Sequence, residues 1–168
     1  MASTSTNKQP LLIDRVFYEA VQCDTLASGS ATNVDITGTN SSAVLVDCTT
    51  NDGGIVEDMF VISRGTQPYK AMFYFSSATD YLRANQAMFL GDITSATTVG
   101  AFTNVYKLPS ICAPVPATGN TTGLADGAPL KSTALYIPRG KALWVTIWGT
   151  SGQNPSNCPI VGAQGGFF

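Results

Sequence analysis

Residues 133–148, TALYIPRGKALWVTIW, constrain the fold more tightly than any other stretch of this chain. In the second half Leu143, Val145 and Ile147 alternate with Trp144, Thr146 and Trp148. A period of two is the pattern of a β-strand, and a large residue at nearly every place means that both faces are covered. Pro138-Arg139-Gly140 separates the halves. Proline pre-sets φ for the first position of a turn, and glycine takes the left-handed conformation that closes a three-residue loop. The segment is expected to be a β-hairpin whose second arm lies deep in a sandwich or against a neighbouring subunit. On this pattern Leu143, Val145 and Ile147 fill the core, while Trp144 and Trp148 are candidates for a face that meets another chain.

Shorter strand signals surround it. Residues 11–21 (LLIDRVFYEAV) read as a long strand with Ile13, Arg15, Phe17 and Glu19 on one face. Residues 26–32 are small and polar, a loop. NVDIT at 33–37 and AVLVDC at 43–48 alternate like paired strands, with turn residues between them. After the turn-rich TTNDGG, residues 55–63 place Asp58, Phe60 and Ile62 on one face. Residues 69–76 then set Ala71, Phe73 and Phe75 against Met72 and Tyr74. In residues 77–89 a short helix competes with a loop leading into a strand at 86–90. A strand at 100–107 precedes a Pro/Gly-rich excursion at about 108–130, and loops of that length are usually functional or contact-making. A last short strand is expected at 159–163. Together these signals describe an all-β protein, an antiparallel β-sandwich, jelly-roll-like, of about eight or nine strands. It forms a single domain over 11–168 behind a flexible N-terminal arm at 1–10. That arm is either simply disordered or becomes ordered on a neighbouring subunit.

Composition narrows the function classes. Charged residues are 12%, about half the usual share, against 44% hydrophobic. With 9 basic and 11 acidic residues and no basic run, a phosphate-binding face for nucleic acid is not expected. No stretch is apolar for long enough to suggest a membrane span, and the first residues lack the apolar core of an export signal. The chain has no histidine, which removes Ser-His-Asp and Cys-His arrangements. Cys23, Cys48, Cys112 and Cys158 lack the paired spacing of zinc ligands, so they read as reduced thiols acting as small hydrophobes. A disulfide between two of them is the minority alternative. Asp47, Asp52, Glu57 and Asp58 are explained by turn chemistry and solvated strand faces rather than by a glycosidase pair. The NDGG turn lacks calcium-loop spacing. No enzyme, cofactor or metal is expected. Exposed aromatics would suit a glycan platform, but their apolar neighbours favour packing or subunit contact. Phe167 and Phe168, after Gly165-Gly166, either tuck into the domain's own core or anchor in a pocket on another chain.

The C-terminal third carries a family resemblance. A-P-L at 128–130, L-x-I-P-x-G at 135–140, the strand L-W-V-x-I at 143–147 and the ending A-Q-G-G-Phe at 163–167 occur in that order. With MFYFSSATDYLRANQAMFLGDI at 72–93, they are similar to small head-decoration (cement) and minor virion structural proteins of tailed bacteriophages. The resemblance covers roughly residues 70–168. It implies a β-sandwich that binds the outside of a capsid, bridges neighbouring major capsid proteins and forms a homo-oligomer, a trimer or dimer. The localisation it implies is the virion surface, after assembly in the host cytoplasm. A tail or head–tail connector subunit and a receptor- or glycan-binding virion domain are the alternatives. The candidate interface residues are Trp144, Trp148, Phe167 and Phe168; the receptor- or glycan-binding alternative would use Trp144, Trp148 or the loop at 109–129.

Overall fold

The computed structural model describes residues 13–23, 28–30, 33–35, 42–77, 87–104, 134–149 and 154–168. The strands in these residues are β1 (Arg15–Gln22), β2 (Ser28–Ser30), β3 (Asn33–Asp35), β4 (Ser42–Asp47), β5 (Gly53–Ile62) and β6 (Lys70–Ser76). They are followed by β7 (Met88–Thr94), β8 (Phe102–Asn104), β9 (Leu135–Pro138), β10 (Ala142–Trp148) and β11 (Ile160–Phe167). A 3-10 turn at Pro155–Asn157 is the only helical piece among the described residues. Sheet A runs β1-β11-β5, with β8 and β9 both on the far edge of β5. Sheet B runs β4-β10-β6-β7, and β2 and β3 form a small ladder of their own.

The pairings nest. β1 pairs with β11, β4 with β10, β5 with β8 and β9, and β6 with β7, all antiparallel. Such nesting results when one long antiparallel ribbon is rolled so that its chain ends meet and its tip lies innermost. That is the double-sheet jelly roll. The expected all-β sandwich is what the chain forms.

The segment at 133–148 turns out not to be a hairpin. β9 pairs with β5 in sheet A, whereas β10 lies between β4 and β6 in sheet B. Its turn chemistry is as expected: the Lys141 amide donates to the Pro138 carbonyl at 3.1 Å, and Gly140 has φ of 74°. The strands nevertheless diverge, because this turn is fastened to another crossing between the sheets, the connection from β4 to β5. The Gly140 amide donates to the Cys48 carbonyl and the Cys48 amide to the Lys141 carbonyl, at 3.1 and 3.0 Å. Arg139 reaches Asp52 at 3.4 Å across the same junction. A rolled ribbon must change sheets here, and two adjacent crossings satisfy each other's backbone groups.

Three further expectations are corrected. β3 pairs with β2, which lies inside the expected loop at 26–32, and β4 pairs with β10 instead of β3. The strand expected at 159–163 extends to Phe167 and is central, held between β1 and β5. Ile13 does not share a face with Phe17; it lies across Gly166 on the other side of sheet A. The arm at 1–10, the excursion at 108–130, Cys112 and the choice between helix and loop around 78–86 lie outside the described residues.

The core fills the space between the sheets. Phe17, Val56, Val61, Val161, Ala163 and Phe167 of sheet A meet Leu45, Phe73, Phe75, Leu143, Val145 and Ile147 of sheet B. Full burial of a side chain such as Phe73 stabilises the fold by about 1.5–3 kcal/mol. The alternation expected for β10 holds, since Leu143, Val145 and Ile147 are all in this cluster. Cys23, Cys48 and Cys158 are buried thiols within it. The Cys23 thiol donates to the Val145 carbonyl at 3.7 Å. Burial, with a smaller contribution from Asp47, pushes the Cys48 thiol up to about 11, so it stays protonated and unreactive at neutral pH.

Candidate functional site

The four candidate interface residues fall in three different places. Trp144 and Trp148 project from the outer side of sheet B, as the alternation required. Trp144, however, is only 2% exposed and packs in a second apolar cluster with Met72, Tyr74 and Ala142. Trp148 is half-buried at its margin. Burial, helped by the charge of Asp92, lifts the Tyr74 phenol to about 12. Phe167 sits in the main core, its ring 4.8 Å from that of Phe17 and capped by the Arg15 guanidinium at 4.9 Å. Of its two expected fates, it has taken the one inside its own domain. Phe168 stacks on Tyr136 at 5.9 Å, and its amide donates to the Gly53 carbonyl. Tyr136 lies between the core residues Leu135 and Ile137 and therefore points outward. Phe168 is thus on the outer side of sheet A.

That outer side is the most exposed apolar surface among the described residues. Phe17 faces inward, so its neighbours Val16 and Tyr18 face out, 78% and 70% exposed. Register carries the outward set across the sheet: Gln22, Ile160, Ile62 and Phe102 in one row, Ala20, Gly162 and Phe60 in the next. Tyr18 lies beside Gln164 and Asp58 in a third. A diagonal of aromatic rings results. Tyr18 is 6.3 Å from Phe60, and Phe60 is 5.8 Å from Phe102, which is 66% exposed.

The glycines of β11 make this arrangement possible. A Cβ on Gly162 would stand 2.1 Å from the tip of the Phe60 ring, so that ring lies flat across the bare backbone. On Gly166 it would meet Ile13 at 2.4 Å. Gly165 points inward, and a Cβ there would stand 1.9 Å from the Ile55 carbonyl oxygen, where β5 and β11 shift register. The ending Q-G-G-Phe is therefore a packing requirement. Gly166 there, like Gly162 earlier in β11, lets a side chain (Ile13, just before β1, and Phe60 of β5) cover the central strand, and Gly165 lets the backbones close at the bulge.

Sequence reasoning named Phe60 and Ile62 as sharing a face but did not join them to Tyr18 and Phe102. The usable signal was apolar residues on both faces of 15–22, together with glycines on the outward side of 160–167. Linking these needs the strand order.

Other chemistry is dispersed. Asp47 accepts from the Thr49 amide and hydroxyl at 2.8 and 2.6 Å, which makes it a turn residue. Asp52 faces Arg139, Glu57 is exposed at the bulge and Asp58 is half-buried opposite Gln164. Among the described residues no three metal-ligating side chains converge. A groove of about 800 Å³ runs where β1 and β4 approach, lined by Arg15, Phe17, Glu19, Leu45 and Asp47 among others. Its main cation and one of its acids are occupied over Phe167 and in the Thr49 turn. Finally, Ser42 and Thr146 lie opposite each other on β4 and β10, on the Trp144 side. Ser42 Oγ, Thr146 Oγ1 and Trp144 Nε1 are buried with no hydrogen-bond partner among the described residues. Searches against protein-family models, curated proteins and solved structures find no match to this chain.

Proposed function

We propose that this protein is a structural component of a phage particle, a decoration protein that binds the outer surface of the capsid and bridges neighbouring capsid proteins. The observation that carries the reading is the outward face of sheet A. A lone chain leaves Val16, Tyr18 and Phe102 largely in water. Contiguous exposed apolar patches of this kind mark interaction surfaces. The resemblance of residues 70–168 to head-decoration and minor virion proteins supplies the particle. The jelly roll agrees by analogy, being an architecture of viral capsid and lectin domains, although a fold alone assigns no function. The low charge suits the role, since little charge is desolvated when surfaces close. Each bound copy then stabilises the closed shell by its own binding free energy.

Particles assembled without this protein are expected to release DNA at lower temperature, and on milder osmotic shock, than complete particles. Equal stability of the two overturns the proposal. Copy number on purified particles separates the neighbouring reading: occupancy that follows the capsid lattice supports decoration, and a single ring of subunits means a tail or connector role. A glycan platform through Trp144 is disfavoured by the burial of that ring.

A further inference from the structure

We infer that β8 and β9 are the two halves of one edge strand of the jelly roll, and that the residues joining them are an insertion which the sandwich does not need in order to fold. Followed backwards from Ile62, the far edge of β5 meets Phe102, Thr103 and Asn104. From Val56 to Gly53 the same edge meets Leu135, Tyr136, Ile137 and Pro138. Both pieces are antiparallel to β5, so they run in the same direction along one line, and they follow each other in chain order. Glu57, Asp58 and Met59 lie between the two pairings. On its other edge β5 is accompanied by β11 from Gly54 to Ile62, past both pieces.

The faces of the two halves are in phase. Phe102 points outward, and by alternation so does position 104; Leu135 and Ile137 enter the core, with Tyr136 outward between them. Two residues between Asn104 and Leu135 carry this alternation across the gap, one inward and one outward. Glu57 is then taken up in the bulge where β5 and β11 shift register. From Phe60 to Val56 a strand covers about 13 Å. The chain places thirty residues between Asn104 and Leu135. A connection that crosses between sheets needs length, but this one leaves and rejoins the same edge of the same strand, so it has no distance to cover. The entropy of closing a loop rises only with the logarithm of its length, which is why a paired edge strand tolerates an insertion at such a point. Connections this long are uncommon in compact domains unless they serve something beyond the fold. The sandwich and residues 106–133 are separable parts of the chain, whether or not it belongs to a virion.

A variant that removes 106–133 and joins Val105 directly to Ala134 tests this. It is expected to keep the circular dichroism of a β protein and to melt cooperatively. Its Tm is expected within about 10 °C of the parent chain, roughly the shift caused by losing one large core side chain. Contacts between backbone protons, read by NMR, are expected to keep Asn104 opposite Phe60 and Leu135 opposite Val56. A second variant with a short Gly/Ser link between Val105 and Ala134 guards against strain at the join. If neither variant melts cooperatively within that range, residues 106–133 belong to the fold and the inference is overturned. It is overturned equally if a folded variant shows β9 in a new register on β5.

Discussion

Single residues matter most in β11, where the space for one carbon atom decides whether the sheet closes. A Cβ at Gly162 collides with the far end of an aromatic ring, which can swing outward; one at Gly165 collides with the Ile55 backbone oxygen, which cannot. Gly165→Ala is therefore expected to destabilise the chain by about 2–3 kcal/mol, the upper part of the overpacking range. For a chain of this size that is roughly 4–12 °C in Tm. Gly162→Ala is expected to cost less, and to move Phe60 away from Tyr18. Thermal melts of the two variants side by side check the ranking, and equal losses would mean that the two positions are equally yielding. These glycines were visible in the sequence, but their purpose was not. A glycine in a strand signals close approach, and only the neighbouring strands show what approaches.

At the level of elements, β10 follows its alternation faithfully: one row of side chains in the main core, the other in the Trp144 cluster. What its pattern could not reveal is how completely the outer row is covered. Thr146 is 0% exposed there, and its hydroxyl has no partner among the described residues. Burying an unsatisfied hydroxyl costs about 1–3 kcal/mol. Thr146→Val, which keeps the branched shape, is expected to raise stability by about 1 kcal/mol, read as a higher denaturation midpoint in urea. A lower midpoint would show that the hydroxyl is in fact satisfied. The turn before β10 teaches a related lesson. Pro138 and Gly140 specify a tight reversal, and the reversal is there. Local chemistry fixes the angle at which the chain leaves a turn but not the strand it pairs with afterwards. Here the hydrogen bonds to Cys48, far away in sequence, tie the turn to the crossing from β4 to β5 and send β9 and β10 into different sheets.

Sheet A is closed by the pairing of the first and last described strands. Arg15 is opposite Phe167 in the β1–β11 ladder, and β11 is central in its sheet. Deleting Phe167 and Phe168 is thus expected to lower the stability of the isolated domain by at least the 3–5 kcal/mol typical of losing one buried phenylalanine, before any partner is considered. An unchanged melting temperature for the shortened chain would contradict the core position of Phe167. Ladders this long in sequence separation form late, so folding in milliseconds to seconds is the expected regime. The sequence by itself determined the class of structure. Period-two patterning, turn residues and the near absence of helix signals are local properties, and they lead to an all-β sandwich because apolar strand faces must be covered. It also determined which side of β10 enters the core, because alternation is a geometric property of one strand. Only the tertiary structure decided which strands are neighbours. That choice buried Trp144 and Phe167 and left Tyr18 and Phe102 exposed on either side of the half-buried Phe60. The reason is physical: burial and adjacency are properties of pairs of strands distant in the chain, and no single strand's pattern contains them.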